Sequence, residues 1–162
     1  MEVKHLIETL GLLPHPEGGY YKETYRSSEQ SNFAGFEGER NYCTGIYFLI
    51  EKNNFSALHR IKSDEMWHFY GGDPLEVIEI TLNGELKITR IGNTISEGEV
   101  PQYLVPKNHW FGSRVKKGGN FSFVGCTVAP GFDFNDFEMA ERKALCAEFP
   151  QHAVIIEELT RN

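Results

Sequence analysis

Two ionisable residues, His59 and Glu65, lie on either side of a short polar turn at residues 62–64. Side-chain alternation along the strands predicted before and after this turn places both groups on the same side of the sheet. An imidazole beside a carboxylate can form half of a metal site or an acid–base couple that moves a proton. A structural hydrogen bond in the core is the alternative interpretation. We predict that the two residues form a coupled catalytic pair that faces a cavity.

Two opposing effects set the pKa of the His59 imidazole in this predicted pair. A neighbouring carboxylate stabilises the imidazolium and raises the pKa, whereas burial among aromatic residues lowers it. If the carboxylate has the larger effect, His59 titrates above its ordinary value of about 6.5. Replacing Glu65 by glutamine should then lower the pKa of His59.

His68 is a third candidate catalytic residue. Strict alternation from Glu65 turns its side chain away from the His59 side of the sheet, whereas a β-bulge would reverse its direction. A packed or interfacial histidine is the alternative interpretation.

Aromatic residues and an arginine are candidates for binding a ligand beside this pair. Small-molecule sites are mostly apolar with a few polar groups, and an arginine can hold a carboxylate or phosphate through two hydrogen bonds. The alternatives are ordinary core aromatics and an exposed arginine. The predicted ligand-binding residues are Tyr47, Trp67, Trp110, Phe123 and Arg114.

The elements that position these residues are mostly short strands. Alternating or apolar runs bounded by turn residues predict strands at 19–26, 42–50, 56–61, 65–70, 75–82, 85–91, 101–105, 110–115 and 120–128. Asn83-Gly84 lies between two of these runs and is a strong hairpin signal. Residues 27–40 are polar and predict a mobile loop that could cover an opening. Many short strands without intervening helices predict an all-β fold, an antiparallel sandwich or barrel.

Helical spacing occurs only near the two ends of the chain. It predicts an N-terminal helix at Val3–Leu10 and C-terminal helices at 137–149 and 153–159. We therefore predict one domain over residues 1–162, with a helical cap at 1–14, a barrel at 15–130 and a helical segment at 131–162.

Composition narrows the class of partner and the compartment. The 162 residues carry a formal net charge of -7, which disfavours nucleic acids and anionic membrane surfaces. No apolar stretch approaches the ~20 residues that a membrane span needs. The three cysteines form no C-x-x-C pair, and the N-terminal segment lacks the pattern of a signal peptide. These features predict reduced thiols and a cytoplasmic location.

The spacing His59-x-Ile61-x3-Glu65-x6-Gly72 resembles the first cupin motif, in which a second histidine stands in place of Ile61. In the segment V-P-K-N-H-W-F, Phe111 stands where the second cupin motif has its histidine. Longer segments resemble the fifth cupin-like family, a domain of unknown function: H-P-E-G-G-Y-Y, L-H-R-I-K-S-D-E-M-W-H-F-Y-G-G-D-P-L and A-P-G-F-D-F-N-D-F. This resemblance implies a cupin-type antiparallel β-barrel, or jelly roll, and often a homodimer.

The same resemblance frames three hypotheses for function. Only two ligands stand at the metal-binding motif positions, so we predict no resident metal or cofactor; if a divalent metal binds, its ligands are His59, Glu65 and His109. The favoured hypothesis is a metal-independent isomerase or epimerase acting on a polar, sugar-like substrate, by analogy with the metal-free sugar epimerases of the superfamily. The alternatives are a non-catalytic ligand-binding or storage protein and a metal-dependent dioxygenase or isomerase.

The predicted partners are a small-molecule ligand and a second copy of the chain. For the homodimer, we predict that the aromatic strand at 19–26 adds to the sheet edge of the partner subunit.

Overall fold

The computed structural model describes residues 2–161, which form mostly antiparallel β-structure. The strands are β1 (Leu13–Pro14), β2 (Tyr20–Arg26), β3 (Gln30–Asn32), β4 (Glu39–Asn41), β5 (Thr44–Glu51), β6 (Phe55–Arg60), β7 (Asp64–Gly72), β8 (Leu75–Ile80), β9 (Leu86–Ile91), β10 (Gln102–Val105), β11 (Trp110–Val115), β12 (Phe121–Ala129) and β13 (Glu138–Met139). The α-helices in this range are α1 (Val3–Leu10), α2 (Arg142–Glu148) and α3 (Ala153–Glu158). Each strand predicted from the sequence corresponds to one of these.

Two antiparallel sheets make up the scaffold. The six-stranded sheet has the order β1-β2-β5-β12-β7-β10, and the five-stranded sheet has the order β13-β6-β11-β8-β9. This arrangement confirms the predicted cupin-type jelly roll, although the two sheets form a sandwich that hydrogen bonds do not close into one barrel. Strands β6 and β7, which are consecutive in the sequence, belong to different sheets.

The main core lies between the sheets, where alternate side chains of each strand point inward. Its largest fully buried members include Phe48 on β5, Trp67 on β7 and Phe111 on β11. Burying large apolar side chains of this kind stabilises the fold by roughly 2 kcal/mol each. Several members of this core, among them Phe48, Ile61 and Trp67, also line a cavity between the sheets.

Helices cover part of the outer face of each sheet. Leu6 of α1 packs with Leu49 of the six-stranded sheet, and Leu145 and Ile156 of α2 and α3 pack against Ile78 of the five-stranded sheet. Among residues 2–161, no helix has both the length and the apolar character that crossing a membrane requires.

The predicted C-terminal helix at 137–149 begins too early. Residues Glu138 and Met139 instead pair with β6, and the Ala140 N–H donates to the Leu58 carbonyl at 2.9 Å. Helix α2 begins after Glu141, whose carboxylate accepts hydrogen bonds from the first free backbone N–H groups of the helix. Helical spacing alone does not show that this short segment completes a sheet edge.

The segment predicted as a mobile loop, residues 27–40, is partly ordered by pairing. Strands β3 and β4 form a two-stranded sheet, and the Arg40 guanidinium is buried against Asp136. The hairpin predicted at Asn83-Gly84 joins β8 to β9, and Gly84 adopts the left-handed conformation with a φ of 79°.

The N-terminal strand predicted to pair with a partner subunit pairs within its own chain. Strand β2 lies antiparallel to β5, with Tyr20 opposite Leu49 and Arg26 opposite Thr44. Tyr20 and Tyr21 pack on the sheet of the same chain, whereas Tyr25 is 55% exposed. Strand β1 pairs only with Tyr20 and Tyr21, so pairing of the remaining outer edge of β2 with a second copy stays a prediction.

Candidate functional site

A cavity of about 550 Å³ lies between the two sheets. Its walls come from a turn before β2, from the inner faces of β2, β5, β6, β7 and β12, and from residues 132–135. The ionisable groups deepest in the wall are His15, Glu17, His59 and Glu65. The volume and the largely apolar lining are typical of a site for a small organic molecule.

His59, on β6, has a fixed ring orientation. The ring packs against Phe111 and Phe137, with centroid distances of 4.2 Å and 5.2 Å. Its Nδ1 lies 2.7 Å from the Ala57 carbonyl oxygen, which can only accept a hydrogen bond, so Nδ1 carries a proton. The other ring nitrogen, Nε2, lies 3.0 Å from the Glu17 Oε2 atom. The neutral ring therefore presents Nε2 to Glu17 as an acceptor.

Glu17 reaches His59 because a glycine turn presses against β6. The Glu17 carbonyl accepts hydrogen bonds from the Ala57 N–H at 2.7 Å and from Arg161 Nη1 at 2.6 Å. Gly18 has a φ of 109°, and a Cβ atom added there would lie 2.1 Å from the Phe55 carbonyl oxygen. Only glycine permits this close approach, so the sequence E-G-G itself holds the carboxyl group beside the imidazole.

Burial decides the protonation state of the Glu17–His59 pair. It lowers the pKa of His59 to about 4, an effect that the hydrogen bond to Ala57 opposes. It also raises the pKa of Glu17, while His15 and, to a smaller extent, Ser56 and Arg161 oppose that shift. The Ser56 hydroxyl lies near the Glu17 carboxyl group but outside hydrogen-bond geometry. A separation of 3.0 Å fits an ion pair or a neutral hydrogen bond, and burial favours the neutral form, in which the Glu17 carboxylic acid donates to Nε2.

His15 forms the other side of the same turn. Its Nδ1 accepts a hydrogen bond from the Glu17 N–H at 3.1 Å, so the neutral ring carries its proton on Nε2. Burial lowers the pKa of His15, with Glu17 opposing and His59 adding to the shift. His15 is therefore neutral at pH 7 and lines the cavity as an aromatic wall, with its ring edge-on to Tyr21 at 4.6 Å.

Glu65 lines the cavity from β7 but does not contact His59. Within residues 2–161 its carboxyl group makes no hydrogen bond or ion pair, although the residue is only 8% exposed. Burial raises its pKa to about 8, and the nearby Glu17 adds to the shift. The predicted His59–Glu65 contact is thus replaced by His59–Glu17, because β6 and β7 are not paired neighbours but lie in opposite sheets.

Comparison with known proteins is consistent with this architecture. A profile of the family described as Cupin_5, cupin superfamily (DUF985), matches residues 4–140. The chain belongs to the Cupin_5 family of the cupin superfamily. The match confirms the resemblance that the motifs indicate.

Three proteins similar to this chain carry no activity in their names. The chain is 34% identical to a hypothetical protein from Leishmania major, with a TM-score of 0.95 and full coverage of both chains. It is 40% identical to protein SO0799 from Shewanella oneidensis, with a TM-score of 0.90 and coverage of 99% and 98%. The uncharacterized protein YML079W of Saccharomyces cerevisiae is 27% identical over 83% of this chain and 73% of its own length.

More distant cupins share the fold alone. The oxalate decarboxylase of Lactobacillus farciminis is 14% identical, with a TM-score of 0.55 over 92% of this chain and 41% of its own. At this identity the likeness supports the jelly roll and nothing about the reaction.

The cavity of this Cupin_5 protein does not fit the usual cupin metal. Ile61 and Phe111 supply hydrocarbon at the two positions where cupin motifs have histidines. Both nitrogens of His59 already have partners, and His109 does not line the cavity but bonds through Nδ1 to Glu79 at 2.5 Å. In the described part of the chain, no group of three or more histidine, cysteine, aspartate or glutamate side chains is arranged to hold a metal ion.

His68 does not face the cavity. Its Nε2 lies 2.9 Å from Thr127 Oγ1, and its Nδ1 lies 3.2 Å from Gln102 Nε2, on the opposite face of β7 from Glu65. Strict alternation from Glu65 therefore predicts the direction of the His68 side chain correctly. The position of His68 does not support its assignment as a catalytic residue.

Of the five predicted ligand-binding residues, only Trp67 lines the cavity. Tyr47 and Phe123 pack beside α1 on the outer face of the six-stranded sheet, because alternation along β5 and β12 turns them outward. Trp110 packs beneath the C-terminal helices and under the Arg60 guanidinium.

Arg114, the remaining predicted ligand-binding residue, lies far from the cavity lining. Its guanidinium bonds to Glu76 at 3.2 Å and to Glu158 at 2.9 Å. Two carboxylates therefore already offset its charge, and the cavity that Arg114 does line is a separate one, shared with Lys116 and Glu158.

Glu17 and His15 are not among the site residues predicted from the sequence. The available signal was the phrase H-P-E-G-G, in which a carboxylate lies between a proline and two glycines. Paired glycines after an ionisable residue indicate a backbone that approaches another strand closely, and such a turn can bury the ionisable side chain.

Proposed function

We propose that this Cupin_5 protein is a small-molecule isomerase or epimerase that moves a proton with the Glu17–His59 pair and without a resident metal. The observation that carries the proposal is the 3.0 Å contact between Glu17 Oε2 and His59 Nε2 on the wall of the cavity. Two groups that share one proton and that a ligand can reach are the minimum apparatus for general acid–base catalysis.

The pair can accept a proton by a relay. In the resting state the proton lies on Glu17 Oε2 and is donated to His59 Nε2. When a C–H bond of the ligand breaks, its proton moves to Glu17 Oε1, and the proton on Oε2 moves to Nε2. The carbon keeps the electron pair, so a cationic imidazolium and an anionic ligand form together. Return of the proton to the other face of that carbon, or to its neighbour, completes an epimerisation or isomerisation.

Fixed geometry supports this proposal. The Ala57 carbonyl holds the tautomer that leaves Nε2 free to accept, and the glycine turn holds Glu17 within reach of it. His59 has a low pKa in the resting cavity, but it becomes a stronger base when the anionic ligand forms beside it, because the imidazolium then has a counterion.

A non-catalytic ligand-binding protein is the competing function, and the apolar lining of the cavity favours it. One experiment distinguishes the two. A panel of aldoses, ketoses and simple ketones is incubated with the protein in D₂O, and proton NMR follows deuterium incorporation next to the carbonyl. Wild-type protein should catalyse exchange into at least one compound, and Glu17→Gln and His59→Asn should abolish it.

The matched control for this experiment is His68→Asn, which alters a histidine on the opposite face of β7. It should exchange like the wild type. Identification of a tightly bound native ligand that undergoes no exchange with wild-type protein would favour the ligand-binding function instead.

We also propose that the protein is a homodimer and that it works in the cytoplasm. Supporting the dimer, Tyr70 and Leu104 are 51% and 40% exposed on the outer side of the six-stranded sheet, where α1 does not cover it. Supporting the compartment, Cys43, Cys126 and Cys146 are all unpaired. Sedimentation equilibrium of wild-type protein and Leu104→Asp tests the dimer; a monomeric wild type would refute it.

A further inference from the structure

The Glu65 carboxyl group is buried beside a cavity and has no partner. It is 8% exposed, and within residues 2–161 no side chain or backbone group bonds to it. Its neighbours across the sheet are the aliphatic residues Val105 and Val128. A buried carboxyl group without a hydrogen-bond partner is costly, and its presence in a cavity wall indicates that a ligand supplies the partner.

The groups that face Glu65 supply no free positive charge. Across the cavity lie Glu17 from the turn before β2 and His59 from β6, and the pKa values of Glu17 and His59 are shifted toward their neutral forms. His15 lies beside them with a lowered pKa, and burial raises the pKa of the Cys126 thiol on the adjacent strand β12. Burial therefore shifts the acids and imidazoles of the cavity interior toward their uncharged forms.

Within residues 2–161 the cavity wall contains one guanidinium group, that of Arg26, and other groups of the protein already bond to it. Arg26 donates to Glu23 at 2.6 Å, to Asn41 at 2.8 Å and to the Phe132 carbonyl at 3.0 Å. Asp133 adds a carboxylate to the same side of the wall. An anionic ligand would thus lose its hydration without gaining a cation, which is strongly unfavourable.

We propose that the cavity selects an uncharged carbonyl compound and that Glu65, as a neutral carboxylic acid, donates a hydrogen bond to the carbonyl oxygen of this ligand. The proposal rests on the proposed function for the reaction, and it names the class of substrate. The remainder of the ligand lies against Phe48, Trp67 and Phe132, so its body is apolar.

This role complements the Glu17–His59 pair. A carbonyl that accepts a hydrogen bond withdraws electrons from the adjacent C–H bond, and the same hydrogen bond strengthens when that carbon loses its proton and the oxygen becomes an enolate. No proton leaves Glu65 in this step. Glu65 thus stabilises the anion while Glu17 and His59 take the proton.

Three fluorinated probes of matched size test the class of ligand by fluorine NMR titration of wild-type protein at pH 7. The probes are para-fluoroacetophenone, which is neutral, para-fluorobenzoate, which is an anion, and para-fluorobenzylamine, which is a cation. The ketone should saturate the protein at millimolar concentration and bind at least about tenfold more tightly than either charged probe.

Variants test the role of Glu65 with the ketone as probe. Glu65→Gln, which keeps a donor, should bind it within about threefold of wild type, whereas Glu65→Leu should weaken binding about tenfold. His68→Asn, on the opposite face of β7, is the matched control and should bind like the wild type.

Four results would overturn the proposal. Tightest binding of the benzoate would identify an anion site, and tightest binding of the benzylamine would make Glu65 a counterion for a cation. Unchanged ketone binding by Glu65→Leu, or no saturation of wild type by the ketone, would remove Glu65 from ligand binding. These readouts measure binding alone, so a protein that prefers the ketone but exchanges no deuterium refutes the proposed function and leaves this inference standing.

Discussion

Arg40 and Asp136 form a buried ion pair with two parallel hydrogen bonds, Nε to Oδ2 at 2.8 Å and Nη2 to Oδ1 at 2.9 Å. The pair joins strand β4 to the segment that contributes residues 132–135 to the cavity wall. Both side chains are about 5% exposed, so each charge depends on the other for compensation.

Asp136→Asn should lower the free energy of unfolding by about 3 kcal/mol, because it leaves the Arg40 charge buried without a counterion. Chemical denaturation measures this loss. Glu138→Gln is the matched control, because it breaks the more exposed pair with Arg60 and should cost less than about 1 kcal/mol. Equal losses of unfolding free energy in the two variants would contradict the claim that burial makes the Arg40–Asp136 pair the more important one.

Glu65→Gln should change how stability depends on pH. Between pH 4.5 and about 8 the folded protein keeps a proton on Glu65 that the unfolded chain has released. The unfolded state therefore binds fewer protons, and the free energy of unfolding of the wild type falls as pH rises through this window. Glutamine does not titrate, so the variant avoids this loss.

The measurement is the difference in unfolding free energy between Glu65→Gln and wild type at pH 5 and pH 9, in which the contributions of groups that do not interact with Glu65 cancel. The variant should gain up to roughly 4 kcal/mol relative to wild type across this range. A difference that stays constant with pH would show that Glu65 is ionised in the folded protein.

Purified protein should contain substoichiometric transition metal and should keep its melting temperature in a chelator. Cupin metals need three or four protein ligands, and this chain has Ile61 and Phe111 at two of the ligand positions of the cupin motifs. Elemental analysis and thermal melts with and without EDTA check this. One equivalent of bound metal, with a large loss of melting temperature in EDTA, would contradict it.

Much of the scaffold can be predicted from the sequence because it depends on local periodicity. Alternation and the Asn83-Gly84 turn locate the strands that form both sheets, and the direction of Glu65 and His68 follows from the same rule. Strands β1 and β13 escape prediction because two residues are too short to show a period.

The partner of His59 could not be predicted in this way. Its contact with Glu17 joins a turn without periodicity to a strand far along the chain, and the contact depends on how closely Gly18 lets the turn approach β6. The predicted contact between His59 and Glu65 is wrong for a related reason. Strands that are neighbours in the sequence can enter different sheets, and no local pattern marks that choice.

The central claim is that His59 is paired with Glu17 as a neutral acid–imidazole couple. Nitrogen NMR of His59 in wild type, Glu17→Gln and Glu65→Gln, recorded as a function of pH, tests it most directly. The wild-type ring should be neutral at pH 7, with the proton on Nδ1 and a pKa well below the ordinary value, near 4. The pKa of His59 should also stay below its ordinary value in both variants, because each variant replaces a neutral acid with a neutral amide. If the wild-type His59 ring is protonated on both nitrogens at pH 7 and becomes neutral in Glu17→Gln, His59 and Glu17 form an ion pair. If the protonated ring instead becomes neutral in Glu65→Gln, Glu65 is the partner of His59. Either result contradicts the account.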